Sequence, residues 1–115
     1  MGKNEINSFV YRKDFELFKQ KAEVFSYQWL KVLFLYNGSS QKINLLWSLP
    51  KKYIEKASLR NRFRRWGKEN LKIKGFKGKA FVIFLKRDKS FYRTIKRKDF
   101  DFVFEKFFEC LDKKP

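Results

Sequence analysis

Apolar residues recur along this chain at two different periods. Tyr11, Phe15, Phe18, Ala22 and Phe25 follow one another at three- and four-residue steps with charged residues between them, a stripe that predicts an amphipathic helix over residues 11–25. From Ser26 the period shortens. Leu30, Val32, Phe34 and Tyr36 alternate with Trp29, Lys31, Leu33 and Leu35, which predicts a strand ending at Tyr36. Asn37, Gly38, Ser39 and Ser40 tolerate positive φ or bond their own backbone, so they predict a hairpin turn into a second strand over residues 43–49. Pro50 cannot donate to a ladder and closes that strand.

The helical period returns with Leu59, Phe63 and Trp66, predicting a second helix from Lys56 to about Leu71. Gly67 inside it costs about 1 kcal/mol relative to Ala and weakens its later turns. Gly75 and Gly78 bracket a loop. Residues 80–85 are apolar without alternation, as suits a central strand covered on both faces. Phe100, Val103, Phe104, Phe107, Phe108 and Leu111 predict a third helix over residues 99–111, with Asp99 and Asp101 near its start, where the macrodipole favours negative charge. Residues 90–98 receive no assignment beyond a basic loop or extra turn. With no repeat and no linker, the chain is expected to form one domain over residues 1–115. Its class is α+β: a small two-layer sandwich of about four strands and three helices.

Charge changes the picture. Against 12 Asp and Glu stand 29 Lys and Arg, a net charge of +17 with no histidine. Residues 51–79 hold +10 of this excess and residues 86–98 hold +6. Such concentration builds a local field that a polyanion feels, so nucleic acid is the leading partner, with an anionic membrane surface as an alternative. The absence of histidine removes His-based acid–base catalysis, Ser-His-Asp and Cys-His nucleophiles and His-ligated metals. The single Cys110 cannot pair within the chain, which fits a reducing, cytoplasmic location. No apolar run reaches the roughly 20 residues of a membrane span, and the first residues lack a signal-peptide core.

The densest chemistry lies in the second helix. Four arginines within six positions, Arg60, Arg62, Arg64 and Arg65, present planar donor forks suited to several phosphates of a folded RNA. With Ala57, Asn61, Lys68 and Glu69 they form Ala-x-x-Arg-Asn-Arg-x-Arg-Arg-x-x-Lys-Glu. This pattern resembles the signature of the bacterial ribonuclease P protein subunit, and Arg12 to Phe18 is similar to that family's opening helix. Departures from the family pattern are Glu55 before Lys56 and Ala57 where a small Gly is usual, Lys51-Lys52-Tyr53 in place of a Ser-Lys-Lys run, Phe63 for Ile or Val, Gly67 for an aliphatic residue, Lys68 for a common Arg, and a longer 90–98 segment. The pattern above reproduces most of the family's order of helix, three strands, RNR helix, strand and helix over about residues 9–111.

The resemblance implies a left-handed crossover in the sandwich and a division of labour. An RNA subunit performs Mg²⁺-dependent removal of the 5′ leader from precursor tRNA, and the protein assists while carrying neither catalytic residue nor tightly bound metal. It implies that Arg60, Asn61, Arg62, Arg64, Arg65 and Lys68 bind the catalytic RNA. It also implies that a cleft between the first helix and the sheet holds the single-stranded leader, which maps onto Phe15 and Phe18, with Tyr36 added as a further aromatic; stacking on such rings is sequence-tolerant. The partners so implied are ribonuclease P RNA and precursor tRNA, with neither membrane nor DNA. Composition alone fits other readings: a ribosomal or other structural RNA-binding protein without a role in tRNA maturation, or a metal nuclease using Asp14 with Glu16 or Asp99 with Asp101. Carboxylates two residues apart on a helix diverge, which disfavours the last.

Overall fold

The computed structural model describes residues 6–7, 12–39 and 42–112. Its elements are β1 (Ile6–Asn7), α1 (Arg12–Lys21), β2 (Glu23–Tyr27), β3 (Leu30–Tyr36), β4 (Ile43–Ser48), α2 (Ala57–Ile73), β5 (Gly78–Phe84), α3 (Lys89–Thr94) and α4 (Arg97–Asp112). The strands form one mixed sheet in the order β1-β4-β5-β3-β2, in which β1 is a two-residue edge pairing beside four longer strands. β4 and β5 run parallel, joined through α2, while β3 runs antiparallel to both β5 and β2.

Three local expectations change. The first helix stops at Lys21, where the Ala22 N–H still bonds the Phe18 carbonyl at 2.8 Å, and residues 23–27 become β2. Phe25 satisfies both periods, and cross-strand pairing with Val32 decides its fate: it is buried on the sheet. Tyr11, the first residue of the predicted stripe, lies outside the described residues. The tight hairpin is therefore β2–β3, turning through Gln28 (φ 53°) and Trp29 between the paired Tyr27 and Leu30. The turn around Asn37 and Gly38 does not pair its flanking strands. β5 inserts between them, and Asn37 accepts the Ser39 N–H at 3.1 Å within a longer connection. Gly78 permits the insertion, since at φ 120° a Cβ there would lie 2.1 Å from the Leu35 carbonyl oxygen. The unassigned 90–98 segment supplies the short fourth helix, α3.

β5 is central, as its apolar run predicts. Alternation along the strand sends Ala80, Val82 and Phe84 into the core and leaves Lys79, Phe81 and Ile83 half-buried on the other face. α2 and α4 cover the core face with stacked aromatic rings: Phe63 lies 5.6 Å from Phe100 and 5.7 Å from Phe84, and Trp29 lies 5.3 Å from Phe84. Close-packed rings of this kind contribute about 0.5–1.5 kcal/mol per pair beyond burial of their area. α1 lies on the opposite face, where Phe15 meets Phe81 edge-on at 5.4 Å.

Candidate nucleic-acid interface

α2 is a helix because its buried positions, Leu59, Phe63, Gly67, Asn70 and Leu71, fall on one face. Gly67 is inward rather than a weak point: the Trp47 indole packs where a side chain would stand, 2.7 Å from a Cβ placed there. Once that face is turned inward, Asn61, Arg62 and Arg65 are exposed, while Arg60, Arg64 and Lys68 are half-buried on the flanks. The structure thus brings together all six predicted residues of this cluster on one helix.

Their charges stand uncompensated. Among the described residues, no carboxylate lies within ion-pair distance of Arg60, Arg62, Arg64, Arg65 or Lys68. Arg64 Nη1 donates to Asn61 Oδ1 at 2.7 Å, so asparagine orients one guanidinium without neutralising it. Arg62 lies 5.9 Å from the centre of the Trp66 ring. By contrast Arg60 Nη1 faces the protein, donating to the carbonyls of Ile54 at 2.8 Å and Glu55 at 2.7 Å.

Sequence reasoning missed the brace beneath this surface. Arg97, at the start of α4, lies 5.4 Å from the Trp66 ring centre, donates through Nε to Asp101 at 2.8 Å and pairs with Glu69 at 2.9 Å. The Asp101 hydrogen bond, with Glu69 beside it, lifts the Arg97 pKa above the usual arginine value. Asn70 bridges the helices, donating to the Trp66 carbonyl at 2.9 Å and to Asp101 at 2.8 Å. Asp101 is thereby engaged by Asn70 of α2 and by Arg97 of its own helix. The only sequence signal was an acid four residues after Arg97, too common to stand out.

A second cationic surface adjoins the N-terminus of α2. Lys52, Tyr53, Lys86, Arg87, Asp88 and Lys89 line a groove of about 490 Å³. Lys89 donates to Glu55 at 2.7 Å, and this hydrogen bond holds the Glu55 carboxyl below the usual carboxylate range.

The predicted leader residues separate. Phe18 is only 2% exposed and acts as core between α1 and the sheet. Phe15 is half-buried, with Lys19 Nζ 5.3 Å from its ring centre, at the margin of the sheet face that carries Leu33, Leu46, Phe81 and Ile83. By register Lys31 and Lys79 stand on that same face. Tyr36 is not brought to them. It shares the parity of Val32 and Phe34, is 53% exposed and meets Phe76 at 5.9 Å on the α2–α4 side. The strand alternation written in the sequence already put Tyr36 with the core-facing residues.

An α+β sheet presenting a helix of uncompensated guanidinium groups defines a polyanion-binding protein. The sequence profile of the Ribonuclease P family matches residues 4–107. Among solved structures, an RNase P protein from Staphylococcus aureus superposes with a TM-score of 0.69 at 20% identity, covering 90% of this chain and 94% of that one. The RNase P protein from Thermotoga maritima superposes with a TM-score of 0.67 at 26% identity, covering 95% and 98%. A comparison with curated protein sequences gives no significant match. The chain belongs to the Ribonuclease P protein family: it is a protein subunit of bacterial RNase P type, and its RNA-binding and tRNA-processing role follows from that membership. Ribonuclease P RNA is accordingly its partner. No helix among the described residues is long and apolar enough to cross a membrane.

Proposed function

We propose that this chain is the non-catalytic subunit of its ribonucleoprotein, with hydrolysis of the leader phosphodiester carried by the RNA and its Mg²⁺. The observation that carries this reading is the outward face of α2, where Asn61, Arg62, Arg64, Arg65 and Lys68 offer donors with no carboxylate in ion-pair distance among the described residues. Such a face neutralises phosphates and releases counterions, so affinity falls steeply with salt. Precursor tRNA is the substrate, and its single-stranded leader lies on the sheet face beside α1. There Phe15 stacks on a base and Phe18 holds the helix in place. Lys31 and Lys79 stand on that face for the leader phosphates.

Reconstitution tests it. Added to the RNA subunit at low Mg²⁺, the protein raises cleavage of precursor tRNA, and alone it cleaves nothing. Arg62→Ala with Arg65→Ala removes the stimulation, and excess Mg²⁺ restores it. RNA-free protein that trims precursor tRNA, or a protein that leaves the RNA's rate unchanged, overturns the reading.

A further inference from the structure

Arg60 is grouped with its neighbours by sequence, yet its geometry differs from theirs. One nitrogen, Nη1, donates to two consecutive carbonyls, Ile54 at 2.8 Å and Glu55 at 2.7 Å. Both belong to the turn between β4 and α2, which has no ladder of its own to hold it. That turn is closed by the N–H groups of Tyr53 and Ile54 bonding the Pro50 carbonyl at 3.3 and 3.0 Å. Tyr53 anchors its middle by donating to the Phe84 carbonyl at 3.0 Å, and Glu55 anchors its end through Lys89. Ile54 is fully buried, so its carbonyl needs a partner that water cannot readily supply. An arginine cannot deprotonate in the physiological range, and charge-assisted donation to two acceptors makes a firm clasp.

The turn displays Lys51 and Lys52, both exposed, and Lys52 lines the cationic groove next to Lys86 and Arg87. We propose that Arg60 is a positioning residue, clasping the lysine-bearing turn against α2 so that Lys51, Lys52 and the guanidinium face form one continuous surface for RNA phosphates. Arg60 therefore acts on RNA through the turn, whereas Arg62 acts directly. This rests on the RNA-binding reading above and assigns within it a role that the motif alone does not distinguish.

A double-mutant cycle on the full chain, with transcribed ribonuclease P RNA as the probe and affinity read across salt concentrations, separates the two roles. Arg60→Ala and the Lys51→Gln, Lys52→Gln pair each weaken binding by roughly tenfold, and each flattens the salt slope by about 0.7 per lost phosphate contact. In the background lacking Lys51 and Lys52, Arg60→Ala adds less than about twofold, whereas Arg62→Ala retains its full effect there. Hydrogen exchange at residues 51–56 quickens in Arg60→Ala while α2 keeps its protection. Arg60→Met, which keeps an unbranched, helix-favouring side chain but removes every donor, repeats the exchange result and carries the cycle if the alanine variant fails to fold. Full additivity of Arg60→Ala with the lysine pair, or unchanged exchange in the turn, overturns the proposal. Failure of the unmodified chain to bind the RNA overturns the functional reading as well, whereas additivity overturns only this one.

Discussion

Replacing Gly67 by Ala sets two opposing effects against each other on the inward face of α2. In an exposed helix the change is stabilising by about 1 kcal/mol, because alanine loses less backbone freedom on folding. Here the new Cβ would stand 2.7 Å from Trp47 Cη2, 2.9 Å from its Cζ3 and 3.4 Å from Phe104 Cζ. Favourable carbon contacts lie near 3.5–4.0 Å, so the indole must retreat by close to an ångström from its place against α2. Overpacking of this kind costs about 1–3 kcal/mol, which leaves Gly67→Ala destabilised by about 1 kcal/mol after the helical gain. Urea unfolding of RNA-free protein, followed by far-UV circular dichroism, shows this as a lower midpoint at unchanged slope. The sign reverses when the indole is removed. In a Trp47→Leu background the same substitution raises stability by about 1 kcal/mol, a coupling expected only of residues in contact. A Gly67→Ala variant more stable than the parent, or equal effects in the two backgrounds, would refute the packing argument.

The two phenylalanines of α1 should part company. Phe18→Ala lowers stability by about 3–5 kcal/mol as a core truncation, whereas Phe15→Ala is milder to folding and weakens binding of a precursor tRNA with leader by about 1–3 kcal/mol relative to one without, checked by urea melts and paired binding titrations. Tyr92 is buried with its hydroxyl donating to the Leu85 carbonyl, and desolvation, aided by Tyr53, pushes its pKa well above the usual tyrosine value. Its raised pKa makes the neutral hydroxyl's contribution complete below pH 10 and progressively lost as pH climbs beyond. Tyr92→Phe therefore costs about 1–3 kcal/mol near neutrality and flattens the alkaline loss of stability. Glu55 titrates below an ordinary glutamate because Lys89 bonds its charged form, so whatever stability the pair adds is present above the ordinary pKa and lost as pH falls through the depressed one. In Lys89→Gln the Glu55 carboxyl resonance should titrate at higher pH, and an unmoved midpoint would deny the contact.

How much of this was legible in the sequence depended on whether the signal was local. The apolar stripe of α2, the aromatic stripe of α4 and the uninterrupted apolar run of β5 each specify their own burial, and each appears where the pattern puts it. The outward placement of Asn61, Arg62 and Arg65 was equally legible, since a helix with one apolar stripe has to turn those side chains outward. Non-local pairing was not. Phe25 fits a helical stripe and a strand equally well, and only its partner Val32 settles the matter. The turn chemistry at Asn37 is genuine, but β5, forty residues later, takes the place between β3 and β4 that a simple hairpin would have closed. Gly67 read as a weakness because its reason, the Trp47 indole, comes from another strand. For the same cause Arg60 looked like its neighbours: the carbonyls that occupy it carry no trace in the sequence.

The central claim is that the outward guanidinium groups of α2 grip ribonuclease P RNA directly. Equilibrium binding of that RNA from low to high salt, for the parent chain, Arg62→Ala, Arg65→Ala and the double variant, tests it most directly. Each single change should lower affinity and reduce the slope of log K against log salt by roughly 0.7–0.9, the two adding in the double variant while the folded circular dichroism spectrum is retained. Four parallel lines of equal affinity would contradict the account.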